Sequence, residues 1–420
     1  MKVQLLIQKS RVTLYSFLLV VILLSLSRHL FIISLWPWIF FWIIEGRFKE
    51  KFQGGLFHKS TLSFWALSIL FIVYLISLLW SKNISYGLKN IGEMATMIII
   101  PFILTFSTND FKRRDNLTLI LKAFIFGLLI SSLYLLIVAL TKSLSFEDGK
   151  LLFHPAINDW ESDFYNNNFT FLIHPSYYSL MLIMAVAVCL NDLQSRLLFK
   201  QRIFIPVLLS VYFAGIVFLT QSRAAFFALF AVALFYLLIY RIHYRYKIIA
   251  FMVIITFSLL YLGNAFRFKA LRANLSFSSS AGSTLLHTNI RYRIWKSAVN
   301  IVKEKPLFGV GIGDEQDALN KSYQENDYSK AFDEHLNCHN QFLQTGLSVG
   351  ITGLIILLFI LFYPLTMRGF GLRSYYISFL LIVFVMFFFE SMFERVLGVA
   401  FFSIFYVLLT GRVGINKDVE

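Results

Sequence analysis

The chain has little charge and almost no thiol. Only 15% of its 420 residues are Asp, Glu, Lys or Arg, while 58% are hydrophobic, with 47 Phe and 20 Tyr. A soluble domain needs far more polar cover than this, so the apolar side chains have to face lipid. Two cysteines, Cys189 and Cys338, are too few for a disulfide framework, and the topology below puts them at opposite membrane faces, which excludes pairing. No linker, low-complexity tract or convincing repeat interrupts the chain, so residues 1–420 read as a single polytopic α-helical domain. No small-residue cleavage site follows the first apolar run, which makes that run an uncleaved signal anchor.

Long hydrophobic runs are what the sequence has in abundance. Segments of about 17 to 25 mostly apolar residues cross a hydrocarbon core as helix. They occur near residues 12 to 27, 29 to 45, 62 to 80, 89 to 106, 117 to 140, 173 to 190, 203 to 220, 224 to 240, 247 to 264, 341 to 366, 374 to 390 and 396 to 410. The expected fold is therefore all-α, an integral membrane protein of about twelve spans. The net charge of +15 follows the same alternation. With the N-terminus inside, the inner segments carry Lys2, Lys9 and Arg11, then Arg47, Lys49, Lys51 and Lys59, then Lys112, Arg113 and Arg114. The later inner loops hold Arg196, Lys200 and Arg202, then Arg241, Arg245 and Lys247, then Arg368 and Arg373, and the tail has Arg412 and Lys417. Short outer loops hold few such residues, which puts both termini in the cytoplasm. Topology accounts for the basic balance without a nucleic-acid partner.

Two outer loops break the pattern. Residues 141–172 are polar and mildly acidic, with "FEDGK" and "NDWESDFYNNN". Residues 265–340 form a large loop between spans nine and ten, long enough for short helices of its own. Within it, "RYRIWKSAVNIVKEK" predicts an amphipathic helix with Ile294, Ala298, Ile301 and Val302 on one face. Lys305-Pro306 ends that helix and "GVGIGD" turns the chain after it. The glycine run lacks the Lys-Ser/Thr ending of a phosphate loop, so a structural turn is expected.

Polar residues at span ends gather on the outer side. His174 opens span six, Ser222 and Arg223 lie between spans seven and eight, and His339 and Asn340 open span ten. Glu390 and Arg395 flank the turn between spans eleven and twelve. Random placement would scatter such groups over both faces, so a single extracytoplasmic site is the economical reading. A lone arginine at a span end usually snorkels to headgroups; Arg223 instead runs against the positive-inside bias and has Gln221 and Ser222 beside it. Arg291 and Arg293 sit on the amphipathic helix, which needs surface charge in any case. Histidine is the side chain suited to proton transfer near neutral pH, and His339 heads a span beside an amide. His335, four residues earlier, would share a helical face with it at metal-ligand spacing, but no carboxylate or cysteine clearly completes a tetrahedral set, so no metal is expected. Lys122 and Glu93 are the ionisable residues expected to be buried within spans.

Three segments, in order, resemble the O-antigen ligase and polymerase superfamily of bacterial envelope proteins. His339, Asn340, Gly350 and Gly353 fit its closing motif of His, then Asn/Ser/Gln, nine residues, Gly, two residues and Gly/Thr/Tyr. "SRAAFFAL" resembles its Ser-Arg-Gly/Ala segment, and "RYRIWKSAVNIVKEKPLFGVGIGD" its Arg-x-x-x-Trp helix followed by Pro-Leu-x-Gly-Val-Gly. The likeness covers about residues 170 to 400. It implies transfer of a glycan from undecaprenyl diphosphate at the periplasmic face of the inner membrane. Under that reading Arg223 and Arg291 hold the diphosphate through guanidinium forks, and His339 is the general base. Arg291 stands four residues before Trp295, the family spacing, although Arg293 also precedes it.

The partners so implied are the lipid-linked glycan, membrane lipids and an acceptor, taken as lipid A core. A polymerase acting on a growing glycan, or a protein oligosaccharyltransferase, would use the same residues. A secondary transporter would need polar or broken helices at midmembrane. Metal-dependent membrane glycosyltransferases tend to carry an Asp-x-Asp pair in an early outer loop. None occurs here, and the first two outer loops hold no carboxylate, so transfer without metal or cofactor is expected.

Overall fold

A computed structural model describes residues 2–53, 55–57, 61–109, 111–147, 150–158, 161–240, 245, 282–367 and 372–411. The predicted ninth span at 247–264, loop residues 265–281, and Lys59, Arg241, Lys247, Arg368, Arg412 and Lys417 lie outside these residues.

Helix is the form that satisfies backbone N–H and C=O groups inside one apolar segment, and the hydrophobic runs accordingly become helices. Helices α1 (Lys2–Leu23) and α2 (Arg28–Glu45) pack as a hairpin, and the short α3 (Phe48–Lys51) follows. Next come α4 (Leu62–Ile76), extended by a 3-10 turn at Ser77–Trp80, α5 (Ile84–Met94), α6 (Thr96–Thr105) and α7 (Arg114–Ser143). After the 141–172 outer loop, which holds the one-turn α8 (Asn166–Phe169), come α9 (Pro175–Ser195), α10 (Phe204–Leu219) and α11 (Arg223–Ile239). The large loop holds α12 (Gly282–Glu304), α13 (Glu315–Glu325) and α14 (Ser329–Asp333). The chain returns through α15 (Gln341–Phe362), α16 (Arg373–Phe389) and α17 (Val396–Thr410).

Among the described residues, six segments are long and apolar enough to cross a membrane: Arg28–Glu45, Leu62–Trp80, Ile84–Thr105, Arg114–Ser143, Pro175–Ser195 and Gln341–Thr366. Five shorter apolar helices accompany them, at Ser10–Leu23, Phe204–Leu219, Arg223–Ile239, Arg373–Phe389 and Val396–Thr410. The chain is an integral membrane protein. Every residue of α17 is buried and so is most of α9, so these two form the centre, with α16 against both and α6 against α17.

The described residues are mostly helical, as expected of an all-α membrane protein, and the 141–172 loop adds two short antiparallel hairpins: β1 (Leu144–Glu147) with β2 (Lys150–Phe153), and β3 (Ala156–Asn158) with β4 (Glu161–Ser162). The alternating "LSFE" and "KLLF" runs separated by Asp148-Gly149 carry a short-range hairpin signal that a search for lipid-crossing runs passes over. Lys122 lies within the Arg114–Ser143 segment, on the exposed surface of α7. Glu93 lies in the last turn of α5, within the Ile84–Thr105 segment, where Arg28 pairs with its Oε1 and its Oε2 accepts the backbone N–H of Val396 at 3.0 Å.

The large loop has its own core, built on the predicted amphipathic face. Ile294, Ala298 and Ile301 are buried against Val310, Leu319, Tyr323, Cys338 and Leu347. It is fastened to the membrane helices by the glycine segment. Val310 and Gly311 donate to the carbonyls of Leu347 and Ser348 on α15, both at 2.9 Å. Ile312 and Gly313 donate to Ser77 Oγ and Ser81 Oγ at the end of α4, both at 3.1 Å. These N–H groups are occupied, so the segment is a structural crossing and not an anion cradle. The crossing also explains Gly350. It breaks α15 with φ 70° and ψ −165°, and a β-carbon there would lie 2.3 Å from the carbonyl oxygen of Leu307.

Candidate active site

The site forms where the start of α15 meets the turn between α16 and α17. Asn340 caps α15: its Oδ1 accepts from Leu343 N at 3.0 Å, and its Nδ2 donates to the Phe388 carbonyl at 3.3 Å. Its own N–H reaches Ser391 Oγ at 3.3 Å. With those bonds made inside the protein, this secondary candidate is a cap that joins the two elements.

The cap leaves His339 one residue outside the helix, in a left-handed conformation with φ 43°. Asn337 Oδ1 accepts the His339 N–H at 2.9 Å and holds the turn. The ring Nδ1 is buried without a hydrogen-bond partner and lies 3.6 Å from Glu390 Oε2, an ion-pair distance longer than a hydrogen bond. The rest of the ring carries the side chain's 31% exposure. Glu390 ends α16 and is steadied by Ser176 Oγ, which donates to its Oε1 at 2.8 Å. His174 caps α9, accepting from Ser176 N at 3.4 Å, and lies within electrostatic reach of Glu390, His339 and Arg395. His339, Glu390, His174 and Arg395 thus come together from three elements.

His335 is not part of this group. Residues 334–340 are not helical, so His335 and His339 share no helical face; the His335 Nδ1 instead faces Asn320 Nδ2 at 3.0 Å. Cys338 is buried, with its N–H on Gln344 Oε1 at 3.1 Å and its carbonyl accepting from Trp295 Nε1 at 3.0 Å. Burial holds its thiol well above the usual thiol range, the opposite of what a nucleophile needs.

The Trp295–Cys338 bond sets the arginines. It docks α12 beside the His339 turn, and Arg291, one helical turn before Trp295, lies with its guanidinium carbon 5.8 Å from the centre of the Phe389 ring. Arg293, two residues on, points to another side and stacks over Tyr328 at 5.1 Å, within the loop's own core. Phe389 also stacks on Phe227 of α11, with centroids 5.9 Å apart and planes 10° from parallel. Arg223 is the first residue of α11, one turn before Phe227 on the same face. Ser222 is the cap of α11, its Oγ accepting from Ala225 N at 3.3 Å. Phe389 therefore sits between the helices that carry Arg223 and Arg291, next in sequence to Glu390.

Sequence reasoning missed a second layer of polar groups beneath His339. Asn337 Nδ2 donates to Glu394 Oε2, while Glu394 Oε1 is buried with no partner. Glu315, fully inside, accepts from Asn90 Nδ2 at 2.9 Å and from Ser348 Oγ. Both acids line one small cavity with Gln341 and Gln344, with room for about one water. Burial pushes both carboxyls well above the ordinary carboxylate range, and for Glu315 the charge of Glu394 adds to the effect. The missed signal was Glu315 and Glu394 standing next to two noted segments, "GVGIGD" and the turn before α17.

Fold and site together describe an integral membrane protein with a histidine–carboxylate pair and two arginine-bearing helices gathered at one end of its bundle. Residues 208–358, just over a third of the chain, match the family model described as O-antigen ligase, which bears out the resemblance to that superfamily. Arg223, Arg291 and His339 lie inside the matched segment, whereas His174, Glu390 and Arg395 lie outside it. No curated protein matches the chain.

Proposed function

We propose that this chain is an O-antigen ligase-like glycosyltransferase of the bacterial inner membrane. It has about twelve spans and both termini in the cytoplasm, and it transfers a glycan from undecaprenyl diphosphate to lipid A core at the periplasmic face. The observation that carries this reading is the meeting of Arg291, Phe389, Glu390 and His339 at the end of the bundle where α11 begins with Arg223. Arg223 and Arg291 bind the diphosphate oxygens; two guanidinium forks meet the charge that builds as the leaving group departs. The acceptor hydroxyl oxygen attacks the sugar C1, the C1–O bond to phosphate breaks, and its electron pair leaves with the diphosphate. The acceptor proton passes to the exposed edge of His339, whose buried Nδ1 faces the Glu390 carboxylate that stabilises the resulting imidazolium. The donor already carries the bond energy, so neither ATP nor a metal is part of the reaction. The packing of Arg293 on Tyr328 supports Arg291 as the second diphosphate ligand.

The test is transfer by protein reconstituted with lipid-linked donor and lipid A core acceptor. His339→Ala is expected to bind donor normally and to transfer about 10² to 10⁴-fold more slowly, while His335→Ala stays near wild type. Full transfer by His339→Ala would remove the proposed base. Transfer only to a second repeat unit, and none to lipid A core, would turn the reading to a polymerase.

A further inference from the structure

The β1–β2 hairpin has a largely exposed apolar face, whose one ring contact among the described residues is that of Phe153 with Phe164, centroids 6.2 Å apart. Leu144 pairs across the strands with Phe153, and Phe146 with Leu151, so these four side chains share one face. They are 41%, 54%, 74% and 66% exposed, respectively. The opposite face carries Ser145, Lys150 and Leu152. Large apolar groups side by side on so small an element are a patch that a protein surface rarely leaves in water.

Two observations name what covers it. The first is continuity. Phe126, Ile130, Leu133, Ile137 and Leu140 are exposed along one stripe of α7, the lipid-facing side of a long apolar helix, and the stripe runs on through Leu144 into the hairpin. The second is depth. At 30 residues, α7 is about 45 Å long, close to the thickness of a bilayer with its headgroups, about 40–45 Å. Its last turn, and the hairpin that follows at once, therefore lie at headgroup level. A side chain typical of that level is beside it: Lys142, in the last turn, holds its ammonium 5.3 Å from the Phe171 ring.

We propose that the β1–β2 hairpin is a lipid-binding element whose Leu144, Phe146, Leu151 and Phe153 face inserts into the boundary between headgroups and acyl chains on the active-site side of the membrane. Apolar faces of interfacial elements bury about 5–10 Å into that boundary. Insertion ties the 141–172 loop to the membrane surface, two residues before His174. The inference rests on surface chemistry alone and stands whether or not the chain transfers glycans.

The full chain is purified as three single variants, Phe146→Cys, Leu151→Cys and Lys150→Cys, each labelled with an environment-sensitive fluorophore. The native Cys189 and Cys338 are buried, and labelled wild type supplies the background. The proteins are reconstituted in phosphatidylethanolamine–phosphatidylglycerol vesicles, with and without phospholipid carrying a nitroxide near its headgroup. At positions 146 and 151 we expect blue-shifted emission, several-fold stronger quenching by the nitroxide lipid than at position 150, and protection from aqueous iodide. Equal iodide quenching at all three positions would put the face in water and overturn the proposal. Protection at 146 and 151 from both quenchers would mean a protein cover, such as a second copy, and would overturn it equally.

Discussion

Replacing Glu390 by Gln removes one negative charge and almost nothing else. The glutamine amide oxygen still accepts the Ser176 hydroxyl that Glu390 Oε1 takes at 2.8 Å, and the volume is unchanged. What goes is the attraction across 3.6 Å to His339 Nδ1, present only once the imidazole has taken the acceptor proton. Two unit charges at that separation attract by about 4–5 kcal/mol at an effective dielectric of about 20. The ring is 31% exposed, so water screens part of this and leaves on the order of 2 kcal/mol in the transition state, about 30-fold in rate. Because the charge pair exists after proton transfer and not before, the loss falls on kcat, with donor KM unchanged. The assay is initial rate against lipid-linked donor in reconstituted vesicles, paired with equilibrium donor binding. A loss under about threefold in well-folded protein would show that Glu390 does not stabilise the imidazolium. An equal loss of donor binding would mean that Glu390 holds the fold of the turn instead.

Arg223→Lys is expected to cost on the order of 100-fold in transfer, close to Arg223→Ala, because one ammonium does not reproduce a bidentate fork; near-normal transfer at normal expression would return Arg223 to a headgroup role. Gly350→Ala puts a β-carbon at φ 70° and 2.3 Å from the Leu307 carbonyl oxygen, so a loss of about 1–3 kcal/mol from backbone strain alone should appear as a lower melting temperature in detergent, and an unchanged one would refute the crossing geometry. Glu315, held neutral by burial, has its folded-state pKa raised. Its contribution to stability is therefore full below the ordinary carboxylate range and declines as pH rises through the folded value. Glu315→Gln should flatten that decline in thermal stability, which runs from the ordinary carboxylate range up to about 8, and an identical pH slope in the variant would contradict it.

The sequence by itself determined the solvent of this protein and most of its helices. Hydrophobic run length is a local property, so a membrane-crossing segment is legible without knowing its neighbours; the amphipathic face of Ile294, Ala298 and Ile301 is legible for the same reason. The motif residues Arg223, Arg291, His339 and Gly350 were likewise visible, but not what each touches. Tertiary structure decided that Arg291 lies over Phe389 while Arg293 turns to Tyr328, that Glu390 faces His339, and that His335 does not. It also decided that the amides of "GVGIGD" are spent on α15 and the end of α4, and that Glu315 and Glu394 share a cavity. Each of these is a contact between residues from 15 to 235 positions apart, or the choice between two neighbours on one helix, and such choices depend on how helices pack in three dimensions, about which the spacing of residues along one helix carries no information.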